Sequence, residues 1–113
     1  MSRKTKKPGA GIDWTGFETP LPHPGEVLAE LYMVPLGLTA GALAKLMGLR
    51  GRQRIERIVR GQQAITANTA LRLGRVLGTG PELWTNMQAA HDTSKAAIGA
   101  RAALVRIEKY QAA

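Results

Sequence analysis

The amino-acid sequence predicts an all-α protein of five or six short helices with a helix-turn-helix at its centre. Three observations carry that prediction. Apolar residues recur at helical spacing from Val27 to Met87, and no segment alternates like a strand over a useful length. Helix punctuation recurs, with Thr39 and Thr66 as N-cap residues and Gly48, Gly61 and Gly78 as stops. Between Gly48 and Gly61, the stretch GLRGRQRIERIVRG packs Arg50, Arg52, Arg54, Arg57 and Arg60 around a single acid, Glu56.

Residues 1–21 lack apolar periodicity and read as a flexible basic arm, with Trp14 and Phe17 as docking points on the domain or on a partner. The first helix opens at Pro24 or Gly25. Glu26 sits in its first turn, where the dipole favours an acid, and Pro35 is expected to stop it. Its inward stripe is Val27, Leu28, Leu31 and Tyr32. The second helix is capped by Thr39, turns Leu43, Leu46 and Met47 inward, and ends at Gly48. A tight turn, Leu49-Arg50-Gly51, leads to a third helix over about 52–60. Thr66 caps a fourth, with Ala70, Leu73, Val76 and Leu77 on its inner face and Gly78 as stop. A fifth begins near Pro81 and buries Leu83, Trp84 and Met87. The Ala-rich segment 93–113 is expected to form a C-terminal helical extension, with Gly99 weakening its middle by ~1 kcal/mol.

With 113 residues the chain makes one small domain, and with five aromatics its core must be mostly aliphatic. Cysteine is absent, which removes disulfides and thiolate metal sites and fits a reducing cytoplasm. No apolar run approaches the ~18 residues of a membrane span, and the basic N-terminus is not followed by the apolar core of a secretory signal. A soluble, cytoplasmic protein is expected. The net charge of +8 and pI near 10.7 suggest a nucleic-acid partner. The charge is polarised: Lys45, the five arginines, Arg72 and Arg75 face only Glu56 over residues 45–75, and Arg3, Lys4, Lys6 and Lys7 form a second patch. Residues 8–44 carry Asp13, Glu18, Glu26 and Glu30 but no Lys or Arg.

If Ile55, Ile58 and Val59 face inward on the third helix, rotation by about 100° per residue turns Gln53, Arg57 and Arg60 outward. Arg52, Glu56 and Arg54 then lie on the flanks. Two short helices joined by a glycine-containing turn, the second polar and positive outside, form a helix-turn-helix whose second helix suits the DNA major groove. Arginine matches guanine O6 and N7 with a planar fork, and glutamine matches adenine in the same bidentate way. An ordinary exposed helix would interleave more acids; here Glu56 must serve five arginines, and their repulsion is relieved by a polyanion.

The run HPGEVLAELYMVPLGLT, followed by LAKLMGL, RIERIVRGQQAIT and TALRLGRVLGTGPELWTNMQAAHD, resembles the HigA-type antitoxins, a branch of the lambda-repressor-like, XRE-type helix-turn-helix proteins. The resemblance spans residues 22–92, the segment taken as the DNA-binding domain. It implies a five-helix homodimer that represses its own operon at double-stranded operator DNA and neutralises a RelE/HigB-like, mRNA-cleaving toxin. It also implies base-reading positions at Arg52, Gln53 and Arg57, and phosphate contacts from Thr39 and its neighbouring amides. The spacing from Gly48 to Ile55 is one residue longer than the family pattern, and Ala40 and Gly41 replace larger polar residues. A stand-alone repressor of the same fold is the alternative.

Arg50, Arg54 and Arg60 complete the expected DNA-binding set. The acidic stretch with Trp14, Phe17, Glu26 and Glu30 has the sign to meet a basic toxin. An apolar seam between two copies is expected on the fifth helix, at Leu83, Trp84 and Met87. His23 and His91 have no third metal ligand at sensible spacing, Ser94 has no base beyond His91, and no phosphate loop or carboxylate pair is present, so neither an enzyme nor a cofactor or metal site is expected.

Overall fold

The computed structural model describes residues 11–111, so the basic cluster at Arg3, Lys4, Lys6 and Lys7 lies outside the described residues. Six helices follow a short 3-10 turn at Trp14–Gly16: α1 (Pro24–Leu36), α2 (Ala40–Leu46), α3 (Gln53–Val59), α4 (Ala67–Leu77), α5 (Pro81–Gly99) and α6 (Arg101–Leu104). The described residues contain no strand. Helix α5 packs along α4, α2 packs on α3, and α1 bridges α3 and α5. Leu28, Leu43, Met47, Ile55, Ile58, Leu73 and Trp84 meet in the core. Trp84 is fully buried, its ring 5.3 Å from Tyr32 edge to face and its Nε1–H donating to Thr79 Oγ1 at 2.8 Å.

Thr39 and Thr66 cap α2 and α4 as expected, their hydroxyl oxygens accepting from Ala42 N–H and Thr69 N–H. Gly48 and Gly61 end α2 and α3 with φ of 75° and 72°. Their N–H groups and those of Leu49 and Gln62 turn back to the last helical carbonyls, a 6→1 and 5→2 closure that requires a left-handed residue.

Helix α1 departs from expectation twice. Pro35 does not stop it; the helix continues to Leu36 and Gly37, at φ 65°, closes it. Its middle, Leu28–Met33, is a π-helix, with Val34 N–H reaching Ala29 O five residues back. That widened turn precedes the proline, whose missing N–H would have served the regular ladder. Bonds from i to i−5 bring residues five apart onto one face, so Met33 joins Leu28 in the core. Leu31, expected inside, is 66% exposed.

Leu46, also expected inside, is 59% exposed. The buried arc of α2 is Leu43, Ala44 and Met47, and Leu46 points about 110° from its centre at 100° per residue. On α5 the buried line is Trp84, Gln88, Ser94 and Ala97; Leu83 is 38% exposed rather than buried, and Met87 is half-buried. Helix α5 also runs unbroken past residue 93, so the expected separate extension is its second half, and Gly99 ends it. Past Leu104 the chain is not helical as expected: residues 105–111 have no regular helix, with Ile107 and Tyr110 exposed.

Residues 11–21 are not a free arm. Asp13 caps the Trp14–Gly16 turn, which packs against α5. Ser94 Oγ accepts from Leu21 N–H at 2.8 Å, His91 Nδ1 donates to Leu21 O at 2.6 Å, and Arg101 donates to Phe17 O. Every buried side-chain nitrogen or oxygen among the described residues has a partner. No single helix among them is long and apolar enough to cross a membrane; Pro24–Leu36 and Ala40–Leu46 reach that length and composition only as a pair bent by 92°.

His23 caps α1, its Nδ1 accepting from Gly25 N–H at 2.9 Å, with its ring 5.0 Å from that of His91. Burial, then the neighbouring His91, hold its pKa below the usual histidine value; Asp92 and Glu26, and a hydrogen bond with the Gln63 backbone, act in the opposite direction. Protonating Nδ1 would also remove the cap. The unfolded chain therefore takes up this proton first, near pH 6.5. The stability His23 provides should be complete above that pH and fall as the pH drops below it. Urea unfolding at pH 7.5 and 5.5 should show the loss. His23→Asn, which can cap but cannot titrate, should flatten it; an unchanged pH slope would contradict this role.

Candidate nucleic-acid interface

The expected helix at 52–60 is α3, Gln53–Val59, with Arg52 and Arg60 as its flanking caps. Ile55 and Ile58 are fully buried, Val59 is half-buried, and Gln53, Arg57 and Arg60 are exposed. Those three residues, at i, i+4 and i+7, share one face opposite the core contacts. Gly51 and Arg52 precede the helix, and Gln53 is its first residue.

The charges on this face are held differently. Glu56 is the acid, and Arg52 Nε takes it at 3.1 Å. Arg57 Nε donates to the neutral Gln63 Oε1 at 2.9 Å. Arg54 is half-buried and turned toward α4, where Nη1 lies 3.4 Å from Thr69 Oγ1. Arg50, Arg54, Arg57 and Arg72 line one cleft of about 390 Å³ beside the Gly48–Gly51 turn. A second cleft, of about 500 Å³, opens on the other side between Lys45, Arg50 and Arg52. Arg50 in the turn therefore borders both. Cations surround the α2–α3 junction, and a polyanion would meet them from either side.

Sequence reasoning placed Arg72 in the charge total but not in the site. Its Nη1 donates to Met47 O at 2.8 Å, the carbonyl of the α2 C-cap, and its Nε donates to Asn68 Oδ1 at 2.9 Å. It ties α4 to the end of α2 and so fixes the turn that sets α3. The i,i+4 pair Asn68–Arg72 is legible in the sequence, whereas the bond to Met47 O is not.

Thr39 is exposed at the start of α2, and Gly41 beside it borders open space. The acidic stretch divides between elements. Trp14 and Phe17, half-buried, meet with ring centroids 5.5 Å apart and planes tilted by 43° on the segment against α5, whereas Glu26 and Glu30 are exposed one turn apart on α1. Of the three residues expected at an apolar seam, Leu83 is exposed and Met87 borders an apolar groove of about 210 Å³ with Leu21, Pro22, Val27 and Ala90. Trp84 is fully enclosed in the core, so the sequence expectation that it faces a second copy does not hold for its side chain.

No family model matches the chain. Over 79 residues it is 51% identical to virulence-associated protein I of Dichelobacter nodosus, covering 70% of this chain and 72% of that one. Its structure is similar to that of an addiction module antidote protein of a HigA family from Coxiella burnetii. The TM-score is 0.75 at 35% identity, over 81% of this chain and all of that one. It is also similar to the Pseudomonas aeruginosa antitoxin HigA with the higBA promoter, with a TM-score of 0.73 at 27% identity over 79% of this chain and 96% of that one.

Proposed function

Because the chain belongs to the HigA family of helix-turn-helix antitoxins, we propose that it binds operator DNA through α3, represses its own operon and neutralises a RelE-like, mRNA-cleaving toxin in the cytoplasm. One observation supports the DNA reading above the rest: Gln53, Arg57 and Arg60 stand exposed on one face of a short helix anchored by Ile55 and Ile58. Seated in the major groove, α3 brings Arg52 and Gln53 nearest the base edges, with Arg57 one turn further along. Its donors suit guanine and adenine. Thr39 and the first amides of α2 lie where a phosphate would approach, and Arg50 and Arg54 follow the backbone on the two sides of the turn.

One such helix spans few base pairs, so tight specific binding calls for a two-fold dimer with recognition helices about 34 Å apart. Leu83, Met87 and the groove beside them offer the apolar surface for its seam. Footprinting on the DNA upstream of the gene should show two half-sites one helical turn apart, protected by a dimer. A monomer bound tightly to a single half-site would contradict this reading.

Arg57→Ala should weaken operator binding by ~1–3 kcal/mol and relax preference at one base pair of each half-site. Arg60→Ala, beyond the last helical residue, should weaken operator and random duplex alike. Equal behaviour of the two variants on both duplexes would overturn the division of roles. A small basic protein encoded beside the gene, and inactivated by this chain, distinguishes an antitoxin from a stand-alone repressor.

A further inference from the structure

We infer that the C-terminal end of α1 is a docking surface for a basic protein, which under the proposed function is the toxin; the inference rests on that reading for the partner's identity. Leu31 is 66% exposed, Val34 75% and Leu36 61%, with Pro35 exposed among them. Isolated exposed aliphatic residues are ordinary, but Leu31 and Val34, three apart, are neighbours on one helix face, and Pro35 and Leu36 carry the exposed run to the helix end.

The backbone builds this exposure. In a regular helix Leu31 would share the inward face of Leu28; the π-helical turn hands that place to Met33 and swings Leu31 out. Such turns recur at functional sites. The patch is also held firm: Leu28 and Met33 anchor it in the core, and Gly37 and Leu38 close the helix onto Val34 O and Met33 O. A partner would therefore meet a preformed surface and spend little on ordering it.

Charge selects the occupant. Glu30 and Glu26 are exposed on the same helix, and no Lys or Arg occurs between residues 8 and 44. DNA is disfavoured by sign. A second copy related by a two-fold axis would set these carboxylates against their own equivalents, a like-charge pairing that interfaces avoid. A basic protein suffers neither penalty. It would bury the aliphatic groups at the centre and meet the carboxylates at the rim, where opposite charge speeds encounter. An RNA-cleaving toxin, basic because it must hold RNA, fits that description. The Trp14–Phe17 pair is the weaker site, because those rings already spend part of their surface on each other.

The test uses the full-length chain and, as the probe, a small basic RelE-like protein sought in the reading frame beside its gene, with binding followed by calorimetry. Leu31→Gln with Val34→Gln keeps charge and helix propensity. It should weaken toxin binding at least tenfold while operator affinity and the dimer mass stay as in the wild type. Glu30→Lys should slow association and weaken binding severalfold, more at low salt than at high. Wild-type toxin binding by the double-glutamine variant would overturn the inference and leave the antitoxin reading intact. Conversion of that variant to monomers would overturn it in favour of a second copy on this face. Failure of the wild-type chain to bind the neighbouring protein would overturn the antitoxin reading, and this surface's partner with it.

Discussion

Replacing Trp84 with alanine should lower the unfolding free energy by about 3–5 kcal/mol, a large share of the 5–15 kcal/mol typical of a small domain. The side chain is fully enclosed at the centre of the core. Its loss opens a cavity against Tyr32 of α1 and removes the donor to Thr79 in the α4–α5 loop. Helix α1, the α4–α5 loop and α5 lose their common contact together, so collapse around the cavity would be limited. Trp84→Phe keeps most of the volume and should cost less, the difference including the lost Nε1–H bond. Urea denaturation followed by far-ultraviolet dichroism would measure both. A cost below about 1 kcal/mol for alanine would place Trp84 outside the structural core.

Gly25→Ala should have the next largest effect, and it reaches α3, the helix proposed to read DNA, directly. A Cβ on Gly25 would lie 1.8 Å from Ile58 O and 2.6 Å from Ile58 C, both main-chain atoms that no rotamer change can move. Helix α1 would have to lift from α3. The cost should lie at the upper end of the ~1–3 kcal/mol of core overpacking, or beyond it. The displaced element carries Arg57 and Arg60, so operator affinity should fall even at temperatures where the variant is fully folded. Gly41→Ala is the control: a Cβ there meets nothing within 4 Å, and α2 should gain roughly 0.5–1 kcal/mol. Equal stability of Gly25→Ala and the wild type would contradict the close approach of α1 to α3.

The helix count, the Thr39 and Thr66 caps, the Gly48, Gly61 and Gly78 stops and the outward face of α3 were all legible in the sequence. Each depends on a neighbour within a turn or on regular periodicity. What the sequence concealed was decided by backbone irregularity or distant partners. The π-helical turn in α1 moved Leu31 out and Met33 in, and periodicity analysis assumes no such turn. His23 makes an uncommon N-cap, and its ring also packs on His91 of α5, a contact no local pattern shows. The N-terminal segment looked free because its anchors, Ser94 and His91, lie more than 65 residues away. Arg54, read as a flank of the outward face, leans toward Thr69 on the next helix, a partner 15 residues away. Arg72 acts through Met47 O, 25 residues back, and no local pattern announces that bond.

The most direct test of the central claim, that the arginine helix reads and holds DNA, is a salt series of binding affinities. The full-length chain would be titrated against the duplex upstream of its gene and against a scrambled duplex of equal length. Phosphate contacts by the cations around the α2–α3 turn predict a steep loss of affinity for both, on the order of a thousandfold between 50 and 200 mM salt if six or more phosphates are engaged. Base contacts from Gln53 and Arg57 predict that the upstream duplex stays on the order of a thousandfold tighter at any one salt concentration. Equal affinity for the two duplexes, or binding insensitive to salt, would contradict the account.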